Sequence, residues 1–259
     1  MSWDVERAAT ALLEAEDTRT DRGPISDEWP GLDLATAYAV QDEALRRRLD
    51  RGERLIGVKL GLTSRAKQER MGIAAPLTAW LTDAMMLPAG APAPQDRMIH
   101  PRAEPEIVFV MRDWLAGPGI TAAGALAAVD SVYGGIELID SRYRDFRFTL
   151  PDVVADNASS GRFVTGPVGL PPESLDLALE ACLVEVDGQV VDSATGAAVQ
   201  GHPAEALALA ANELAQRDLA IKPGWVVLTG GMTDAVPVSP GTTVAVHFTH
   251  LGSLHLAGG

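Results

Sequence analysis

The chain has 259 residues, with 35 acidic and 21 basic side chains, a net charge of −14, 47% hydrophobic and 22% charged residues. This is a globular composition, long enough for one large domain or a small one plus a larger one, and its acidic balance excludes a nucleic-acid surface, which needs clustered Lys and Arg. No apolar run approaches the length of a bilayer span, the start Met1-Ser2-Trp3-Asp4-Val5-Glu6 lacks the basic and apolar regions of a signal peptide, and the single Cys182 excludes an intramolecular disulfide. A cytoplasmic protein is therefore expected.

In chain order, Val5, Ala8, Leu12 and Leu13 recur at helical spacing and predict an amphipathic helix from Ser2 to about Asp17, capped by Ser2. Residues 17–30 carry Gly23, Pro24 and Pro30 and read as a loop. A second helix opens at Leu32-Asp33-Leu34 and stops at Gly52. Leu55 to Leu62 reads as a strand, and Thr63 with Ser64 predicts a short helix through Met71. Beyond Gly90 short strands dominate, over 98–110, 133–140, 162–165, 181–192, 225–229 and 242–256, with Asp187-Gly188 turning a hairpin. Helices interrupt near 121–131 and 203–217. The expected class is α+β, with a small helical part over 1–75 that carries one lysine-bearing strand, and a β-rich body over 76–259.

The chemistry concentrates in His100-Pro101-Arg102-Ala103-Glu104-Pro105-Glu106-Ile107-Val108-Phe109-Val110, a run that passes from charged to apolar. Side chains alternate along a strand, so Glu104 and Glu106 project to one face. Two carboxylates that close repel unless a cation or a shared proton neutralises them. Glu137, within Ile136-Glu137-Leu138-Ile139-Asp140, is a third acid on an apolar strand, and buried carboxylates are rare unless paired or metal-bound. An all-oxygen site for a hard divalent cation, Mg²⁺ or Mn²⁺, follows.

Lys59 sits in the apolar run Ile56-Gly57-Val58-Lys59-Leu60-Gly61-Leu62, where it either snorkels to solvent or is buried beside a functional anion. The basic run Arg142-Tyr143-Arg144-Asp145-Phe146-Arg147 is either a solvated surface or a holder of a carboxylate. The stretch from Asp152 through Asp156, Asn157, Ser159 and Ser160 to Gly161 reads equally as turn capping or as a polar loop lining a cleft. Gly230-Gly231 is an ordinary tight turn or a place where backbone approaches a ligand. The five histidines show no zinc spacing, and only His100 lies near the acids. No phosphate loop, nucleophile elbow or Cys-x-x-Cys pair is present in the sequence.

The runs VKLGLTSRAKQERMGI (58–73), LTDAMM (81–86), IHPRAEPEIVF (99–109), IELIDSRYRDFRF (136–148), DVVADNASSGRFVTG (152–166), GHPAEALALAANELA (201–215) and VVLTGGMTDAVPVSPG (226–241) resemble, in order, the 2-keto-4-pentenoate hydratase and 4-oxalocrotonate decarboxylase group of the fumarylacetoacetate hydrolase superfamily. The resemblance implies a mixed β-sandwich roll that holds Mg²⁺ or Mn²⁺ on Glu104, Glu106 and Glu137. It also implies catalytic roles for Lys59 and for Asp83, the aspartate before the Met pair. The lysine strand and the Tyr-Arg-Asp-Phe continuation look more like the decarboxylases than the hydratases. A decarboxylase substrate carries a second carboxylate, for which Arg144 or Arg147, then Arg65, are the candidate anchors, with Asn157, Ser159 and Ser160 reaching the substrate. The expected activity is decarboxylation of 2-oxohex-3-enedioate, a small dicarboxylate, with hydration of 2-hydroxypenta-2,4-dienoate as the alternative. An acylpyruvate hydrolase ranks third, because nothing supplies a His-Glu water-activating pair, and a metal-stabilised binding protein is the non-enzymatic alternative. The resemblance further implies a homo-oligomer and association with the pathway's hydratase.

Overall fold

The computed structural model describes residues 2–64, 68–69 and 76–259. Arg65, and most of the short helix predicted from Thr63 to Met71, lie outside them. Helix α1 (Val5–Thr18) buries Ala8, Ala9, Leu12, Leu13 and Ala15. Its cap is Asp4 rather than the expected Ser2, because the Asp4 carboxylate accepts from the Arg7 amide at 2.8 Å. The predicted loop 17–30 contains one helical turn, α2 (Ile25–Glu28), which forms because Ile25 is fully buried behind Pro24. Helix α3 (Leu34–Asp50) is capped by Asp33. Further on come α4 (Ala122–Ala127), α5 (Leu150–Ala155) and α6 (Pro203–Ala215), the last begun by a proline at its first position and capped by His202. Among the described residues, no helix is long and apolar enough to cross a membrane.

The strands are β1 (Leu55–Gly61), β2 (Leu77–Thr82), β3 (Arg102–Met111), β4 (Val129–Ile139), β5 (Ser160–Leu170), β6 (Ala181–Val186), β7 (Gln189–Thr195), β8 (Val226–Leu228), β9 (Val236–Pro237), β10 (Thr243–Phe248) and β11 (Ser253–Ala257). They form a seven-stranded sheet, ordered β2-β1-β8-β3-β4-β5 with β9 beside β3, and a four-stranded sheet ordered β11-β10-β6-β7. Among the described strands β1 with β8 is the one parallel pair. The main core includes Ile107, Phe109, Ile136, Leu138, Val184 and Val246 together with Leu207 and Leu214 of α6. Strand β2 gives no alternating signal because all six of its residues are buried.

A division at residue 75 cuts through this sheet. The lysine-bearing β1 is hydrogen-bonded to β2 on one side and β8 on the other, so it belongs to the body. The N-terminal helices do form a separate apolar cluster, in which Leu12, Ile25, Val40 and Tyr143 pack with Val153 and Val154 of α5. That cluster braces the loop before α5 and so sets one wall of the site.

Candidate active site

Glu104 on β3 stands directly opposite Glu137 on β4, and Glu106 follows two residues along β3 on the same face. One carboxylate oxygen from each lies within 4.8 Å of the others. Glu106 and Glu137 are fully buried, while Glu104 is half-buried and lines a cavity of about 230 Å³. Two glycines after β8 make room for this. The Gly230 amide donates to Glu106 Oε2 at 2.7 Å, and Gly230 holds a φ of +105° where a side chain would strike Thr63. At Gly231 a Cβ would stand 2.9 Å from Glu104 Cδ. The close approach is therefore to the acids themselves.

Lys59 is buried rather than snorkelling, and it faces the same cavity. Its ammonium donates to the Ala158 carbonyl at 2.8 Å and stands 3.1 Å from Glu137 Oε1. Burial opposes its charge, but Glu137, Glu106 and Glu104 together outweigh that and raise its pKa above the ordinary lysine value. Burial, then Glu137 and Glu104, push Glu106 well above the carboxylate range, against the pull of Lys59 and the Gly230 amide.

Three carboxylates gathered around Lys59 are a donor set that a divalent cation would draw together. Glu106 Oε1 and Glu137 Oε2 are buried with no hydrogen-bond partner among the described residues, and Glu137 Oε1 meets Lys59 only as an ion pair. Buried oxygens left so are acceptors for something else. The donor set is all oxygen and anionic, which fits Mg²⁺ or Mn²⁺.

The other candidates separate. Ser159 lines the cavity, and its hydroxyl donates to Asp156 Oδ2 at 3.4 Å. Ser160 is buried next to it, with a hydroxyl that has no partner among the described residues. Asn157 is turned away, its amide clamping the Trp80 backbone with bonds of 2.8 and 2.9 Å. Asp83 sits at the end of β2 and binds the Arg54 backbone at 2.9 Å and side chain at 2.8 Å, which holds its carboxyl below the usual range. Lys59 pairs with Ala79, so Asp83 is four strand residues, about 13 Å, further along. Among the described residues Asp83 is held by Arg54 and is not on the lining of the acid cavity.

The basic run also divides. Arg142 is buried and spends its guanidinium on Asp156 and on the carbonyls of Asp140 and Ser160. Burial pushes Asp156 up to about 6, against the attraction of Arg142. Arg144 is exposed and paired with Asp21 at 3.1 Å, and Arg147 is exposed. Both line a separate cavity of about 530 Å³ that shares only Phe146 and Phe148 with the acid site. Neither is on the described lining of the acid cavity; the residue between them that is, Phe146, has left-handed backbone, as does Asp145. Sequence reasoning missed Phe146, Phe148 and Thr63 as parts of the site. Phe146 lies inside the run quoted as basic and Phe148 directly follows it, and only the loop geometry reveals them.

The family model "Fumarylacetoacetate (FAA) hydrolase C-terminal" matches residues 58–256. The chain is 41% identical over 249 residues to a 4-oxalocrotonate decarboxylase of Pseudomonas putida, covering 96% of this chain and 93% of that protein. It is 39% identical over 239 residues to a 2-hydroxyhexa-2,4-dienoate hydratase of Comamonas testosteroni, covering 92% and 90%. Among solved structures, 4-oxalocrotonate decarboxylase from Pseudomonas putida G7, complexed with magnesium and adipate, superposes with a TM-score of 0.95 at 41% identity, over 98% of this chain and 96% of that one. The chain belongs to the fumarylacetoacetate hydrolase family.

Proposed function

We propose that this protein is a divalent-metal-dependent decarboxylase that converts 2-oxohex-3-enedioate (4-oxalocrotonate) to 2-hydroxypenta-2,4-dienoate and CO₂, a lyase step of meta-cleavage catabolism of aromatic compounds. The observation that carries the reading is the cluster of half-buried Glu104 with buried Glu106 and Glu137, joined by Lys59, beside a cavity that Glu104 and Lys59 line and whose described wall is otherwise mostly apolar. Decarboxylases that share about two-fifths of the sequence over nearly the whole chain support it.

The three glutamates would hold the cation, which when bound supplies Lewis acidity at the 2-oxo acid end of the substrate. In the reaction the C5–C6 bond breaks and CO₂ leaves. The electron pair forms C4=C5, the C3=C4 pair moves to C2=C3, and the C2 oxygen takes up the charge and then a proton. Lys59 holds a proton at Nζ and keeps a positive charge beside the place where that oxygen gains electrons. Leu60, Leu62, Leu77 and Phe148 make much of the cavity wall apolar and limit water around the reacting carbons. Lys59 and Glu104 are the only ionisable groups on the described lining.

Hydration of 2-hydroxypenta-2,4-dienoate is the second reading, favoured by the hydratases at 39 and 40% identity. Mixing the purified, Mg²⁺-supplied protein with each substrate separates the two. CO₂ from the hexenedioate supports the decarboxylase, whereas silence there with loss of dienoate absorbance establishes the hydratase. A homo-oligomer, and association with the hydratase that consumes the product, are proposed alongside.

A further inference from the structure

The proposed substrate has a second carboxylate, and neither Arg144 nor Arg147, the two described arginines expected to hold it, lines the cavity with the acids. We propose that Arg102 is the residue that recognises it; the inference rests on the dicarboxylate reading above. Arg102 opens β3, two residues before Glu104, so the strand's alternation puts Arg102, Glu104 and Glu106 on one face. Its cross-strand partner is Ile139, which lines the acid cavity, just as Glu137 is the partner of Glu104. The step from Arg102 to Glu104 is about 6.6 Å along the strand, comparable to the length of a six-carbon diacid. A substrate with its 2-oxo acid end at the glutamates and its chain along β3 therefore brings its far carboxylate to Arg102.

Two further observations point the same way. The Arg102 guanidinium lies 4.1 Å from the centroid of the Phe146 ring, which stands between Arg102 and the cavities it lines, the acid cavity among them. Stacking on an aromatic face orients the planar fork while leaving its edge donors available. Among the described residues the Arg102 guanidinium has no hydrogen bond and no ion pair, although the residue is half-buried, whereas Arg142 and Arg144 are both taken up by aspartates. The His100 ring packs on the same Phe146 at 4.9 Å, and its Nε2 is buried without a partner among the described residues. A carboxylate seated against Phe146 would find the guanidinium fork and stand beside a second polar group.

The test compares 2-oxohexanedioate with 2-oxohexanoate, which differ only in the far carboxylate, by calorimetric titration of the Mg²⁺-loaded protein. Wild type should bind the diacid roughly 10- to 100-fold more tightly, the range of one charge-assisted hydrogen-bonded pair. Arg102→Gln should abolish that preference through the diacid alone, leaving monoacid affinity within about twofold. Arg102→Lys, which keeps charge but not the bidentate fork, should fall between the two, and the same ratio decides the matter if Arg102→Gln does not fold. A wild-type preference that survives in Arg102→Gln overturns the role of Arg102 and leaves the dicarboxylate reading standing. No preference in wild type overturns the dicarboxylate reading itself.

Discussion

Lys59 Nζ stands 3.1 Å from Glu137 Oε1, although the two residues come from β1 and β4, which are not neighbours in the sheet. The contact is possible because β8, between β1 and β3, ends at Leu228 and is followed by Gly230-Gly231, where side chains would collide with Thr63 and Glu104. The ammonium partly neutralises a set of acids that otherwise repel one another. It also leaves carboxylate oxygens for a cation.

Replacing Lys59 by Met should therefore separate two functions. Catalysis should fall by at least about 100-fold, since a preorganised charge at the developing oxyanion is worth roughly 2.7–4 kcal/mol. The metal-free protein should also lose stability, on the order of 3–5 kcal/mol for a broken buried pair. Mg²⁺ should restore melting temperature but not turnover, as melts with and without chelator would record.

Gly231→Ala should weaken metal binding without unfolding the protein. The three atoms nearest its Cβ would all belong to the Glu104 carboxylate, with both oxygens at 3.1 Å, so that half-buried group has to move. Gly230→Ala should be much worse for stability, because it combines a positive φ with a 2.0 Å approach to Thr63 Oγ1. Metal titration and thermal melts of the two variants should rank in opposite severity.

Metal affinity should fall on acidification. Glu106 has its folded pKa raised above 4.5, so in the absence of a cation its contribution to stability is present at low pH and is lost as pH rises through that raised value. Coordination needs the carboxylate, so binding Mg²⁺ displaces the proton, and affinity should weaken by up to about tenfold per pH unit below the raised pKa. Calorimetry in two buffers of different ionisation heat should show proton release, and equal apparent heats would contradict it.

Asp156→Asn should destabilise the protein by roughly 3–5 kcal/mol at neutral pH, because it leaves Arg142 charged and buried. Arg142 ties the end of β4 to the loop carrying Ser159, so the cavity wall should loosen with it. Denaturant unfolding gives the loss directly. An effect below about 1 kcal/mol would place Arg142 among the weak surface pairs instead.

The acids were legible because a two-residue period and an apolar flank are local properties, and Glu104, Glu106 and Glu137 each carry them. Lys59 was half legible: the glycines and apolar neighbours marked a special position, but burial is decided by β2, β8 and the loop around Ala158. Strand β2 itself was hidden, since Leu77 to Thr82 is buried throughout and shows no alternation. The run Arg142–Arg147 stays ambiguous in the sequence because charge there carries no partner. Asp156 takes Arg142, Asp21 takes Arg144, and the residue that reaches the site is Phe146. Asp83 was placed at the site only through the resemblance, while Arg54 holds it at the far end of its strand.

The central claim is that the Glu104–Glu106–Glu137 cluster binds a cation that makes decarboxylation possible. It is tested most directly by following CO₂ release from 2-oxohex-3-enedioate with Mg²⁺, after chelation, and in Glu106→Gln. CO₂ should appear with wild type and Mg²⁺, stop on chelation, return when Mg²⁺ is added back, and be absent in the variant at every Mg²⁺ concentration that saturates wild type. Undiminished release after chelation, or from Glu106→Gln, would contradict it.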